Sequence, residues 1–279
     1  LKIQEVIKRG PFAVKKNEVT AGCIIEKIDG EAIKAGKDYN ALLDGKAGKN
    51  VRLTIKNTKG KTFDLTIKAI SQSNQQELLY KRWVDRNRAI VDSVSKGRIA
   101  YVHVKAMNSE SFRTVYSELL SDKNRNKDAV IVDERHNGGG WLHDDLCTLL
   151  SGKQYQEFVP HGKVVGKDPF NKWTKPSCVL ICEDDYSNGH GFPWVYKELG
   201  IGKLIGTPVA GTMTAVWWET LMDRSLVFGI PQVGCRDMRG TFGENTTLYP
   251  HVEVYNSPED YITGHDTQLI RAVEEMMKK

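Results

Sequence analysis

Two periodicities divide the chain. From Leu1 to about Ile70, apolar and polar residues alternate in short runs, "LKIQEVI", "GCIIEKIDG", "VRLTIKN" and "TFDLTIKA". A period of two turns one side of each segment inward and predicts strands, and "RGP", "DGE" and "TKGK" between them supply turn chemistry. The stretch "KDYNALLDGKAG" predicts a helix, with Leu42 and Leu43 on its apolar side and Gly45 or Gly48 as its stop. Residues 1–70 thus read as a small α+β domain. "SQSNQQE", from Ser71, has no apolar periodicity and reads as a linker. After it, "ELLYKRWVDRNRAIVDSVS" sets Leu79, Trp83, Ile90 and Val94 at helical spacing, so residues 71–97 form a linker and a helix.

Beyond Gly97 the pattern changes to near-continuous apolar runs, "RIAYVHV", "DAVIVDE", "CVLICED", "KLIGTP" and "LVFGIP". Between them lie the helical segments "SFRTVYSELL", "LHDDLCTLL" and "FPWVYKELG". Such alternation predicts a largely parallel sheet covered by helices over residues 98–279. In such sheets ligands bind off the carboxyl ends of the strands.

Composition narrows the class. With 279 residues, 40% hydrophobic and 27% charged, the chain can bury a real core. A net charge of +5 with scattered lysines does not point to nucleic acid. Five cysteines without a close-set framework argue against a disulfide scaffold. Cys178 and Cys182 share a strand face and read as buried thiols. No apolar run approaches the ~20 residues of a membrane span. The chain begins at Leu1 without a signal-like segment, which reads as part of a longer protein and leaves cytoplasm or periplasm open.

The carboxyl ends of the apolar runs hold the candidate chemistry. "DAVIVDERHNGGGW" ends in Gly138, Gly139 and Gly140, where a backbone can approach a ligand and aim its N–H groups, or can simply turn. "CEDDYSNGHGFPW" places Ser187 between a strand and a helix, either as a nucleophile with following N–H groups behind it or as a turn residue and N-cap. His103, inside the apolar "YVHV", is the candidate base, against a core histidine bonded to a carbonyl. Glu244, in "FGENTTLYP", is the carboxylate able to orient it. His136, His143, Asp144 and Asp145 have no metal-ligand spacing, so no metal and no cofactor are expected. Of Trp217 and Trp218, adjacent in a strand, one can line a groove while the other is core. Gly140 and Trp217 are candidate substrate contacts, and Arg224 and Arg236 are more readily structural or solvated.

Taken in order after "GRIAYVHV", the motifs "DERHNGGG", "YSNGHGFPW", "GKLIGTPVAGT" and "GENTTLYPHVEV" resemble the catalytic core of the tricorn protease family, in the superfamily of C-terminal processing peptidases. "IKRGPFAV" followed by "AGCIIEKIDGEAI" is similar to the PDZ-type domain that precedes this core. The resemblance implies a ClpP/crotonase-like α/β core of parallel ββα units behind a small PDZ-like α+β domain. It makes Ser187 the nucleophile, His103 the general base and Glu244 the acid that holds it. It places the oxyanion hole at the N–H of Asn188 with one from Gly138 or Gly139. Processing peptidases carry a lysine where this chain has Thr212, so the resemblance favours Ser-His-Glu over a Ser-Lys dyad. Val102 stands where the tricorn branch has a serine.

The activity implied is a serine endopeptidase or oligopeptidase acting on peptides or unfolded polypeptides, without a cofactor. The family's rings imply a homo-oligomer, and its upstream propeller domains imply that this chain is a carboxy-terminal piece with an incomplete PDZ groove. Two alternatives are a peptide-binding scaffold without catalysis and, more distantly, thioester chemistry of the crotonase kind.

Overall fold

The computed structural model describes residues 1–13 and 18–278, so Val14, the last residue of "IKRGPFAV", lies outside it. Two compact units divide the chain, Leu1–Arg86 and Asn87–Lys279.

In the first unit, β1 (Ile24–Ile28), β2 (Glu31–Ala32), β3 (Asn50–Lys56) and β4 (Thr62–Lys68) form an antiparallel sheet in the order β2-β1-β3-β4. The period of two is realised most cleanly in β3, where Val51, Leu53 and Ile55 are buried and their neighbours face outward or part-way out. Two expectations are corrected. "LKIQEVI" contributes one bridge, Lys2 to Ile24, rather than a strand. The helix expected in "KDYNALLDGKAG" is a single 3-10 turn, Asn40–Leu42. Asp38 accepts the Asn40 N–H at 2.8 Å, closing a local turn that competes with a helix, and Gly45 follows at φ +65°.

Helix α1 (Gln72–Val94) begins inside the stretch that reads as a linker. Its first turn is polar and exposed, so hydrophobic periodicity could not mark its start.

The second unit continues with β5 (Ile99–His103), α2 (Ser109–Leu119), a short α3 (Asp122–Arg125), β6 (Ala129–Asp133) and α4 (His143–Leu150). A small antiparallel pair follows, β7 (Gln156–Phe158) and β8 (Gly166–Asp168), then β9 (Ser177–Ile181), α5 (Asn188–Glu198) and β10 (Lys203–Gly206). The remaining elements are β11 (Ala215–Thr220), β12 (Val227–Val233), β13 (Val252–Glu253), α6 (Pro258–Thr263) and α7 (Thr267–Met277). The sheet has the order β13-β10-β9-β6-β5, and every pairing in it is parallel.

Each residue of β5, β6 and β9 is buried, as continuous apolar runs require of strands covered on both faces. Val102, Val132 and Ile181 share one core with Leu119 of α2, Leu146 of α4 and Phe192 of α5. Alternate strand residues point the other way, and α7 packs against β6, β9 and β10. Parallel strands bring all their carboxyl ends to one edge.

"LVFGIP" departs from the expectation of a covered parallel strand. It forms β12, paired antiparallel with β11 outside the main sheet. Trp217 and Trp218 are 57% and 65% exposed, so neither is core. A two-stranded ribbon buries a face only where another layer covers it.

Candidate active site

The sheet register aligns the strand ends. His103 pairs with Asp133, Asp133 with Leu180, and Ile181 with Gly206. His103 closes β5 at this edge, and beyond the ends of β6, β9 and β10 three turns carry the glycine run, Ser187 and Thr212.

Ser187 forms a strained elbow between β9 and α5. Its φ of 56° and ψ of −118° lie where L-residues other than glycine are rare, at a cost of about 1–3 kcal/mol. Although it stands at the N-cap, its side chain makes no capping bond. This removes the ordinary reason for a serine there. Its N–H donates to Thr212 Oγ1 at 3.0 Å, so Thr212 holds the elbow.

The glycine run lies directly on this elbow. At Gly139, with φ +94°, a Cβ would stand 2.6 Å from Ser187 Cβ and 2.7 Å from the Tyr186 carbonyl oxygen. At Gly140 a Cβ would be 2.2 Å from the Met107 carbonyl oxygen. Only glycine permits both approaches. The Met107 N–H donates to Gly139 O at 3.0 Å and the Trp141 N–H to Met107 O at 2.7 Å, stitching the run to the segment after β5.

Among the described residues, the N–H groups of Asn188 and Gly138 have no hydrogen-bond acceptor. Gly139, the other donor expected, gives its N–H to Asn137 Oδ1 at 2.9 Å. Asn188 also fixes the neighbouring helix. Its Oδ1 accepts from the Leu142 and His143 N–H groups at 2.7 and 3.1 Å, satisfying two donors at the start of α4.

Two residues that the sequence reading did not single out hold these turns together. Asn137 donates from Nδ2 to Val104 O at 2.8 Å and accepts the Tyr186 N–H on its carbonyl at 2.9 Å. The buried Asp185 accepts from the Cys182 N–H at 2.8 Å and the Asn137 N–H at 3.1 Å. Their only sequence signal was position, Asn137 ahead of the glycines and Asp185 ahead of Ser187.

His103, the last residue of β5, is 8% exposed. Its Nε2 meets the Arg135 carbonyl at 3.2 Å. A carbonyl only accepts, so Nε2 donates here, and in the neutral ring the lone pair falls to Nδ1. Burial pushes the imidazole below its ordinary value, while the charge of Asp133 and the Arg135 carbonyl pull the other way. Below the ring runs a buried ion-pair network. Arg135 donates to Asp133 at 2.7 Å and to Asp266 at 2.9 Å, and Tyr101 Oη donates to Asp133 at 2.8 Å. Burial pushes the Asp133 carboxyl up, but the charge and hydrogen bonds of Arg135 outweigh it and hold Asp133 ionised.

Glu244 accepts the Thr214 N–H at 2.8 Å, and its charge acts on the buried His190. The titratable side chains that act most on His103 are Asp133, Arg135 and His136. Gly140 is paired with Met107, and the Trp217 indole N–H donates to Glu219 within the hairpin. The five cysteines are all free, with Cys178 and Cys182 buried.

Comparison with known proteins identifies the two domains. Residues 98–254 match the model described as Peptidase family S41, and residues 4–72 match the tricorn protease PDZ domain. The chain is 29% identical over 259 residues to the tricorn protease of Thermoplasma acidophilum, covering 92% of this chain and 24% of that protein. It is 27% identical over 277 residues to a tricorn protease homolog of Saccharolobus solfataricus, covering 98% of this chain and 25% of that one. It therefore spans about a quarter of the length of these relatives. A crystal structure of the tricorn protease superposes with a TM-score of 0.84 at 28% identity, over 98% of this chain and 27% of the other. With a PDZ domain ahead of a core in which a glycine run meets a serine elbow, the chain belongs to peptidase family S41.

Proposed function

We propose that this chain hydrolyses peptide bonds in peptides or unfolded polypeptides as a serine peptidase that works through an acyl-enzyme. The observation that carries the reading is the strained Ser187 elbow, its side chain unused for capping, lying against a glycine run. Ser187 Oγ attacks the scissile carbonyl carbon while its proton passes to His103 Nδ1. The oxyanion accepts the N–H groups of Asn188 and Gly138, which are worth most at this point because they are already oriented. Collapse breaks the C–N bond, and the imidazolium returns its proton to the leaving amine. Water deprotonated by the same ring then attacks the ester and releases the acid.

In this reading the Arg135 carbonyl, rather than a carboxylate, accepts the Nε2–H and fixes the tautomer. The ionised Asp133 beneath it favours the imidazolium as it forms. Glu244 acts at one remove. It fixes Thr214, in the loop whose Thr212 holds the Ser187 amide, and is a positioning residue.

A fluorophosphonate probe tests the assignment. Label located on Ser187 by mass spectrometry, absent in Ser187→Ala and lost on His103→Ala, is the expected result. Folded protein that stays unlabelled would overturn the reading and leave a peptide-binding scaffold.

A further inference from the structure

On the same edge of the sheet, three side chains outside the proposed mechanism converge on one point. His136, on the turn after β6, and Cys182 and Asp184, on the turn after β9, bring one donor atom each to within 4.8 Å of one another. Asp184 approaches His136 Nδ1 at 2.9 Å and Cys182 Sγ at 2.6 Å, and Cys182 Sγ lies 3.8 Å from His136 Nδ1. We propose that His136, Cys182 and Asp184 form a binding site for a thiophilic divalent cation, Zn2+, with its fourth position open to solvent.

Donor chemistry is the first support. Imidazole nitrogen, thiolate sulfur and carboxylate oxygen are the ligand types of zinc, and a thiolate selects against magnesium and calcium. Around a tetrahedral ion, with bonds of about 2.0–2.3 Å, the donor atoms stand roughly 3.3–3.6 Å apart. The sulfur-to-nitrogen separation is already close to this. Opening the carboxylate away from the sulfur by about 1 Å completes the geometry, and Asp184 is exposed and can move.

Support behind the ligands is the second argument. The His136 N–H donates to Cys182 Sγ at 3.1 Å, the kind of contact that stabilises a metal thiolate. Buried Asp185 ties the two ligand-bearing turns together through the Cys182 and Asn137 N–H groups. The thiol is held rigidly inside, whereas the imidazole and carboxylate are 55% and 60% exposed. An exposed His–Asp pair alone would contribute little and would give no reason for a buried thiol to face it. Three protein ligands with an open side match zinc sites that keep a water or an external ligand in the fourth position.

The site adjoins the proposed catalytic residues through the backbone. His136 follows Arg135, whose carbonyl holds His103, and Asp184 lies on the turn that leads to Ser187. A bound ion would therefore clamp together the two turns that position base and nucleophile.

The test is titration of the metal-free chain with Zn2+ by calorimetry, and with Co2+ by absorption spectroscopy. One equivalent of Zn2+ and a thiolate-to-cobalt charge-transfer band are expected. His136→Asn, which keeps a residue tolerant of the φ of 68° at that position, and Asp184→Asn should each weaken binding at least about tenfold. Cys182→Ser should abolish the band, with circular dichroism confirming its fold. The exposed pair of variants keeps the test decisive if Cys182→Ser fails to fold. Cobalt binding without a thiolate band, or Zn2+ affinity unchanged in both His136→Asn and Asp184→Asn, would overturn the assignment.

Discussion

Strands β9 and β12 are written in similar letters, "SCVLI" and "VFGIPQV", and meet opposite fates. Every residue of β9 is buried, while all of β12 except Gly229 is exposed. An apolar run specifies an extended backbone, but burial depends on the layers the rest of the chain supplies. β9 lies between β6 and β10 under helices on both faces, whereas β12 has only β11. The first ends in a tightly determined elbow. The second lies in an open ribbon whose other strand, β11, carries exposed tryptophans.

The largest effect expected from breaking this contrast is chemical. Ser187→Ala, on the elbow after β9, should lower peptide turnover by at least about a thousandfold while leaving the urea midpoint no lower. Next comes packing. Leu180→Ala should cost about 2–5 kcal/mol of stability, whereas Trp218→Ala in the hairpin should change it by less than about 0.5 kcal/mol. Paired urea titrations check both, and equal losses would erase the distinction between the two regions.

A methyl group at Gly139 should act on chemistry and folding together. The clash with Ser187 in Gly139→Ala should lower turnover by about a hundredfold and stability by about 1–3 kcal/mol, read from kinetics and denaturation of the same protein. The mildest perturbation is pH. In the proposed mechanism His103 must be neutral to accept a proton, and its pKa is held below the ordinary 6.5, chiefly by burial. Activity should therefore persist below pH 6.5 and fall as pH drops through the lowered value, in a kcat/KM profile against pH.

The same contrast explains what could be read from sequence. Strands β5, β6 and β9 declared themselves because complete burial leaves unbroken apolar runs. Ser187 was legible as a residue between strand and helix, and the order of motifs marked its company. β12 was misplaced because its letters say nothing of its partner. The start of α1 was hidden because an exposed polar turn has no hydrophobic period. The helix expected near Leu42 was lost to a local turn in which the Asp38 carboxylate accepts the Asn40 N–H. Asn137 and Asp185 were missed because their importance lies in bonds between turns. His136 and Cys182 are distant in sequence, and only the adjacency of β6 and β9 brings them together. For Glu244 the motif gave the position, while its attachment to Thr214 came from loop geometry.

The backbone angles at Ser187 carry a consequence for how stability and activity are balanced. A glycine would occupy φ 56° and ψ −118° with little strain. Ser187→Gly should therefore be inert yet about 1 kcal/mol more resistant to urea than Ser187→Ala. At this elbow the chain keeps a residue that folding alone would disfavour, and the difference between those two variants measures how much stability is given up for the oxygen of the proposed nucleophile.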